Sequence, residues 1–195
     1  MTDHHLIATM QVLQITDDVD KIAQHVTASN INAQNNAGVS ALMFANWAGR
    51  PRCVDWLLRQ GASYNQRDEH GHTALYFAAA RFSTECISLM LNAGADVNSI
   101  NNDGKSPLMY VLFTRGQWYN KRPARLLIDA GASVEYVRDN QPRQIQPWVY
   151  NFITARAKCA RAAIAVVCTF GRPQRNVARL IGRMIWDTRG NGVWE

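Results

Sequence analysis

Apolar positions in this chain come in short, helix-length runs separated by polar turns, and the same order of run and turn returns at a fixed interval. The clearest copy is Asp68 to Ile100, DEHGHTALYFAAARFSTECISLMLNAGADVNSI. It opens on a polar turn around Gly71 and passes through Thr73-Ala74-Leu75 into an alanine-rich helical run. A second apolar run, Ile87 to Leu91, follows, and the unit closes on Gly94-Ala95-Asp96-Val97-Asn98. Gly38, Gly71 and Gly104 are each 33 residues apart, as are Gly61 and Gly94, whereas Gly131 comes 37 after Gly94, so the third copy carries about four extra residues. Self-similarity at such a period marks a stacked array of helical units, none of which can bury its apolar face alone. Local signals agree: Thr73 and Ser106 stand where a helix N-cap belongs, Pro107 just inside the start, and a glycine just past each second helix.

The pattern is weaker at both ends. Residues 1–34 hold two short apolar-periodic runs, Leu6 to Leu13 and Val19 to Val26, then Ile31-Asn32, which echoes the Val97-Asn98 closing. This reads as a degenerate first unit that covers the open end of the stack. After residue 138 the repeat stops. Pro142 and Pro147 mark a linker, and three helices are predicted: Trp148 to Lys158, Cys159 to Phe170 and Asn176 to Asp187. In the last, Val177, Leu180, Ile181, Met184 and Ile185 form an amphipathic stripe, flanked by Arg175, Arg179 and Arg183.

The stretches SALMFANWAG, TALYFAAA and SPLMYVLF, with LLRQGASYN, MLNAGADVN and LIDAGASVE, carry a resemblance to the ankyrin-repeat family, whose motifs are TPLHxAA and LLxxGADVN. It spans roughly Asn35 to Arg138. The resemblance implies an all-α solenoid of helix-turn-helix units joined by hairpin-like turns, with repeats at 35–67, 68–100 and 101–138 between an N-terminal cap and a basic helical cap, 139–195. The motif histidine is replaced by Met43, Tyr76 and Met109, which implies loss of its polar link to neighbouring repeats and drier packing. In the tail, Thr154 to Ala163 is similar to the elongin-binding box of ankyrin proteins that serve as ubiquitin-ligase substrate receptors, with Ala155 where that box has leucine and a lone Pro173 downstream. The arginine-rich end also resembles C-terminal extensions on ankyrin proteins of large DNA viruses and protists.

Composition narrows the function classes. A chain of 195 residues with 47% apolar content and six tryptophans can bury a core. It has no run of 18 apolar residues and no signal-peptide charge pattern at its start, which reads as a protein of the cell interior. Four cysteines do not frame a chain of this size. Cys53 and Cys86 share a repeat position and are expected as buried thiols, since stacked equivalents lie about 10 Å apart and a disulfide needs Cα atoms within about 7 Å. The net charge of +6 sits entirely in the tail: residues 1–138 hold 12 basic and 12 acidic side chains, while 139–195 hold nine basic against Asp139, Asp187 and Glu195.

No phosphate loop, GxSxG, HExxH or zinc spacing is present, so catalysis, a cofactor and a metal are not expected. The expected activity is protein–protein interaction, as an adaptor or as a subunit of a larger assembly. In ankyrin arrays partners are met by hairpin tips and first-helix ends, which implies Asn36, Trp47 and Arg67; His70, His72, Arg81 and Ile100; and Asp103, Lys105 and Phe113. The longer third unit adds Trp118 and Tyr119 among basic residues, as a docking knob or as a lid for the tail. Trp56, in the apolar run of a second helix, is expected in the core. The tail arginines, Arg172, Arg175, Arg179 and Arg183, form a one-signed ridge suited to a nucleic acid or another polyanion, including an acidic protein, or to solvation of an amphipathic helix.

Overall fold

Serine, proline and glycine set where the helices begin and end. Ser40, Ser83 and Ser106 each accept a hydrogen bond from the backbone three residues on, at Met43 (3.4 Å), Cys86 (3.3 Å) and Met109 (3.2 Å), which satisfies an amide the first turn cannot. Pro51 occupies the first turn of another helix. The computed structural model describes residues 3–113 and 121–133, with side chains at 8–112 and 122–133. Its elements are α1 (Asp3–Ile15), α2 (Val19–Ala23), α3 (Ala41–Ala48), α4 (Pro51–Arg59), α5 (Ala74–Ala80), α6 (Thr84–Asn92), α7 (Pro107–Phe113) and α8 (Lys121–Asp129). Among the described residues there is no strand, only an isolated bridge between Gln34 and Ser40. All of them fall in the first of two units, Met1–Gln144 and Ile145–Glu195.

The helices stack in two ranks. First helices pack on first helices, α3 on α5 and α5 on α7; second helices do the same, α4 on α6 and α6 on α8. The core repeats with the sequence: Leu42, Leu75 and Leu108 are buried in one rank, and Leu57 and Met90 in the other. Each fully buried side chain of this kind contributes about 1.5–3 kcal/mol relative to exposure. Cys53 and Cys86 are buried free thiols at equivalent positions. Trp56, expected in the core, is only half-buried. The neighbouring Cys53, Val54 and Leu57 take the inward face of α4.

The N-terminal pair joins both ranks, α1 on α3 and α2 on α4, and reciprocal caps fix it. Arg50 donates from Nε to Leu13 O and from Nη2 to Gln14 O, both at 2.9 Å, satisfying carbonyls at the end of α1. Asp17 in turn accepts from the first amides of α4, Arg52 N at 3.2 Å and Cys53 N at 2.9 Å. The four extra residues of the third copy lie between its helices: 114–120 separate α7 from α8, whereas 81–83 separate α5 from α6.

Candidate protein-docking face

The polar turns are built by one device used three times. Asn35, Asp68 and Asn101 fold Oδ1 back over the next four residues. Asn35 accepts from Ala37 and Val39 (3.0 and 2.9 Å), Asp68 from His70 and His72 (3.0 and 2.7 Å), and Asn101 from Asp103 and Lys105 (3.1 and 2.8 Å). A side-chain oxygen that holds two amides fixes the turn without a sheet. Successive turns are then bonded to one another, Glu69 N to Ala37 O at 3.0 Å and Asn102 N to His70 O at 2.9 Å.

The base of the turns carries a second 33-residue stitch. The Gln34 amide donates to Gly38 O and to Arg67 O (2.9 Å). One repeat later, Arg67 Nη1 donates to Gly71 O (3.3 Å) and Ile100 O (2.6 Å). Ile100, the next residue in register, has no donor to offer and stands 42% exposed.

His72 links turn to helix and repeat to repeat. Its Nδ1 lies 3.0 Å from Asp68 Oδ2, and its Nε2 lies 3.1 Å from Asn101 Nδ2 of the following turn. The ring stacks on Tyr76 with centroids 4.1 Å apart and meets Phe77 edge-on at 5.7 Å. The array therefore has an inter-repeat polar link after all, moved from the motif position to His72. The sequence reading of drier packing fails there, because stacking on Tyr76 brings the imidazole to Asn101.

On the first helices, Phe44, Phe77 and Tyr110 repeat every 33 residues and are half-buried. Trp47 is 50% exposed and lies against Phe44, ring centroids 5.4 Å apart. Beyond the helix ends, Gly49 and Phe82 hold the same repeat position with φ of 67° and 57°. For a bulky residue that backbone costs about 1–2 kcal/mol, and Arg81 beside it is exposed.

The two described thiols and the Tyr76 hydroxyl are poor reagents. Burial first, then a hydrogen bond to Asp17 and its charge, pushes the Cys53 thiol up to about 12. Burial also raises Cys86. Tyr76 is pushed up to about 12 by burial and then by the nearby Tyr110, Asp103 and Asp68. Reactive cysteines need the opposite shift. Among the described residues no group of three His, Cys, Asp or Glu could hold a metal ion, and no helix is long and apolar enough to cross a membrane.

A family model described as ankyrin repeats (3 copies) matches residues 42–138, from the first turn of α3 to beyond the end of α8. The chain belongs to the ankyrin-repeat family. No curated protein matches it.

In this ankyrin array Asn36, Trp47, Arg67, His70, Arg81, Ile100, Asp103 and Lys105 are exposed, whereas His72 is half-buried and spent on internal bonds. Arg67 reaches the surface but commits Nη1 to the stitch. The Phe113 side chain, Trp118 and Tyr119 lie outside the described residues. So do Arg172, Arg175, Arg179 and Arg183, the three tail helices and the elongin-box-like segment. Sequence reasoning missed Phe44, Phe77 and Tyr110 as surface groups. Their 33-residue spacing, with Trp47 one helical turn beyond Phe44, is the signal that could have found them.

Proposed function

We propose that this ankyrin array is a non-catalytic scaffold that holds a protein partner on its hairpin and first-helix side, as an adaptor or as a subunit of a larger assembly. Ankyrin repeats generally mediate protein–protein interaction. For this chain the reading is carried by the half-exposed Trp47 at the end of the Phe44, Phe77 and Tyr110 row. A rigid aromatic on a preorganised surface binds at low conformational cost, and interface hot spots are enriched in tryptophan and tyrosine. The buried, raised thiols offer no nucleophile.

Site-specific photocrosslinking tests it. A benzophenone amino acid at position 47 is expected to trap a partner from a native lysate, while the same group at Arg59, exposed on α4, gives no such adduct. Equal trapping at both positions, or trapping at 59 alone, contradicts the assignment.

The basic composition of 139–195 supports a second reading, in which the tail arginines engage a polyanion. Binding of the full chain to a single-stranded oligonucleotide should then fall steeply with salt, and should be lost when Arg172, Arg175, Arg179 and Arg183 are replaced by alanine. Binding that ignores both changes removes this reading.

A further inference from the structure

We propose that His72 is a proton-controlled latch between the second and third hairpin turns. Asn101 decides the matter. Its Oδ1 is held by the amides of Asp103 (3.1 Å) and Lys105 (2.8 Å), so its amide cannot turn over without losing the third turn. The group facing His72 is therefore Nδ2, a donor, at 3.1 Å from Nε2. Nε2 must be the bare, accepting nitrogen, which places the proton of the neutral ring on Nδ1, where it donates to Asp68 Oδ2 at 3.0 Å. One ring thus joins a carboxylate of its own turn to an amide of the next.

A second proton can enter only at Nε2. The Asp68 contact then becomes an ion pair within the second turn, while two donors face each other across the junction with the third. Protonation keeps the contact inside the repeat and breaks the contact between repeats.

Charged and aromatic groups surround the ring. From its own turn the ring meets Asp68, whose side chain is 4% exposed, and His70, at 5.7 Å between centroids with Glu69 on its Nε2 at 3.5 Å. From α5 it meets Tyr76 and Phe77. From the next turn come Asn101 and the exposed Asp103 and Lys105, and from α7 Tyr110, edge-on to Tyr76 at 5.2 Å. The side chain itself is 19% exposed. The latch does not rest on the docking reading, though the two turns it joins belong to that face.

Nitrogen NMR of the full chain tests the first step directly: the neutral His72 ring is expected to show a protonated Nδ1 and a bare Nε2. The second step is read by hydrogen exchange at Asn102, whose amide bonds to His70 O across the same junction at 2.9 Å. As His72 takes up its proton, followed through its own ring signals, Asn102 protection corrected for intrinsic rate should fall about tenfold. Glu69, bonded to Ala37 O one junction earlier, should keep its protection. In His72→Gln the step at Asn102 should vanish. A ring protonated on Nε2, or an Asn102 amide indifferent to the His72 proton, overturns the proposal. A step that survives in His72→Gln does so too and assigns the effect to His70. Should that variant fail to fold, the two wild-type measurements decide alone.

Discussion

Gly38 is the point at which the stitched turns can be challenged most sharply. Its φ is +74°, and a Cβ built there would lie 2.9 Å from Asp68 Cα, 3.0 Å from Glu69 N and 3.1 Å from Asp68 C. All three are backbone atoms and cannot swing aside. Gly61 supplies the control: its φ is +89°, but a Cβ there meets nothing within 4 Å. Alanine at 61 should therefore cost only the left-handed backbone, about 1–2 kcal/mol. Alanine at 38 should cost that and more, because relieving the overlap pushes the second turn away and lengthens the Glu69 to Ala37 bond of 3.0 Å. One such bond is worth about 1 kcal/mol, and the lost packing adds a similar amount. Gly38→Ala is thus expected to lose about 3–4 kcal/mol, some 2 kcal/mol more than Gly61→Ala. Urea unfolding followed by far-ultraviolet circular dichroism measures both on the same baseline. Equal losses would refute the reasoning, since they would mean that adjacent turns do not approach as closely as these distances require.

Three further expectations use the same assay. Asn46 is fully buried with Oδ1 unbonded, and Ala79 holds the same place one repeat on. Asn46→Ala should cost nothing or stabilise by up to about 1 kcal/mol; a loss beyond about 1 kcal/mol contradicts this. Asp17→Ala removes both caps on α4 and should cost about 1–2 kcal/mol, whereas Asp17→Asn, which keeps an oxygen acceptor, should recover part of it. No difference between these two variants would mean the caps contribute nothing. The buried thiols make the fold sensitive to alkali. An unfolded cysteine releases its proton near 9.0, while folded Cys53 holds it to about 12. The folded state is therefore the more protonated one, and its thiol stabilisation is complete below pH 9 and lost as pH rises toward 12. The slope is about 1.4 kcal/mol per pH unit for each such group. Cys53→Ala should flatten that slope, and an unchanged slope would assign the sensitivity to other groups such as Cys86 and Tyr76.

The repeat was legible because it is written in local terms. A glycine at fixed spacing, a capping serine or threonine and a proline at a helix start need no tertiary knowledge, and the family motifs sit on the helices they name. What escaped depends on residues brought together from a repeat away. Thr73 stands at the N-cap position of α5, but its hydroxyl pairs with Ser99 Oγ at 3.2 Å rather than with the helix. No local pattern announces a partner 26 residues off. Arg67 reads as a contact residue, yet Ile100 O lies 33 residues on and within its reach. The absent motif histidine suggested dry packing, and only the stacking of His72 on Tyr76 shows the polar link restored. Trp56 sits in an apolar run and reads as core, whereas its helix turns other side chains inward. Phe44, Phe77 and Tyr110 were hidden in plain pattern, since apolar residues inside a helical motif read first as packing.

The central claim, that the hairpin and first-helix side holds the partner, is tested most directly by affinity once the crosslinked protein is in hand. Its dissociation constant should be measured for the wild-type chain, for Trp47→Ala and for Arg59→Ala. Truncating a tryptophan anchor costs about 2 kcal/mol or more, so Trp47→Ala should weaken binding about thirtyfold, with Arg59→Ala unchanged. A Trp47→Ala protein that is folded and binds as tightly as the wild type would contradict the account.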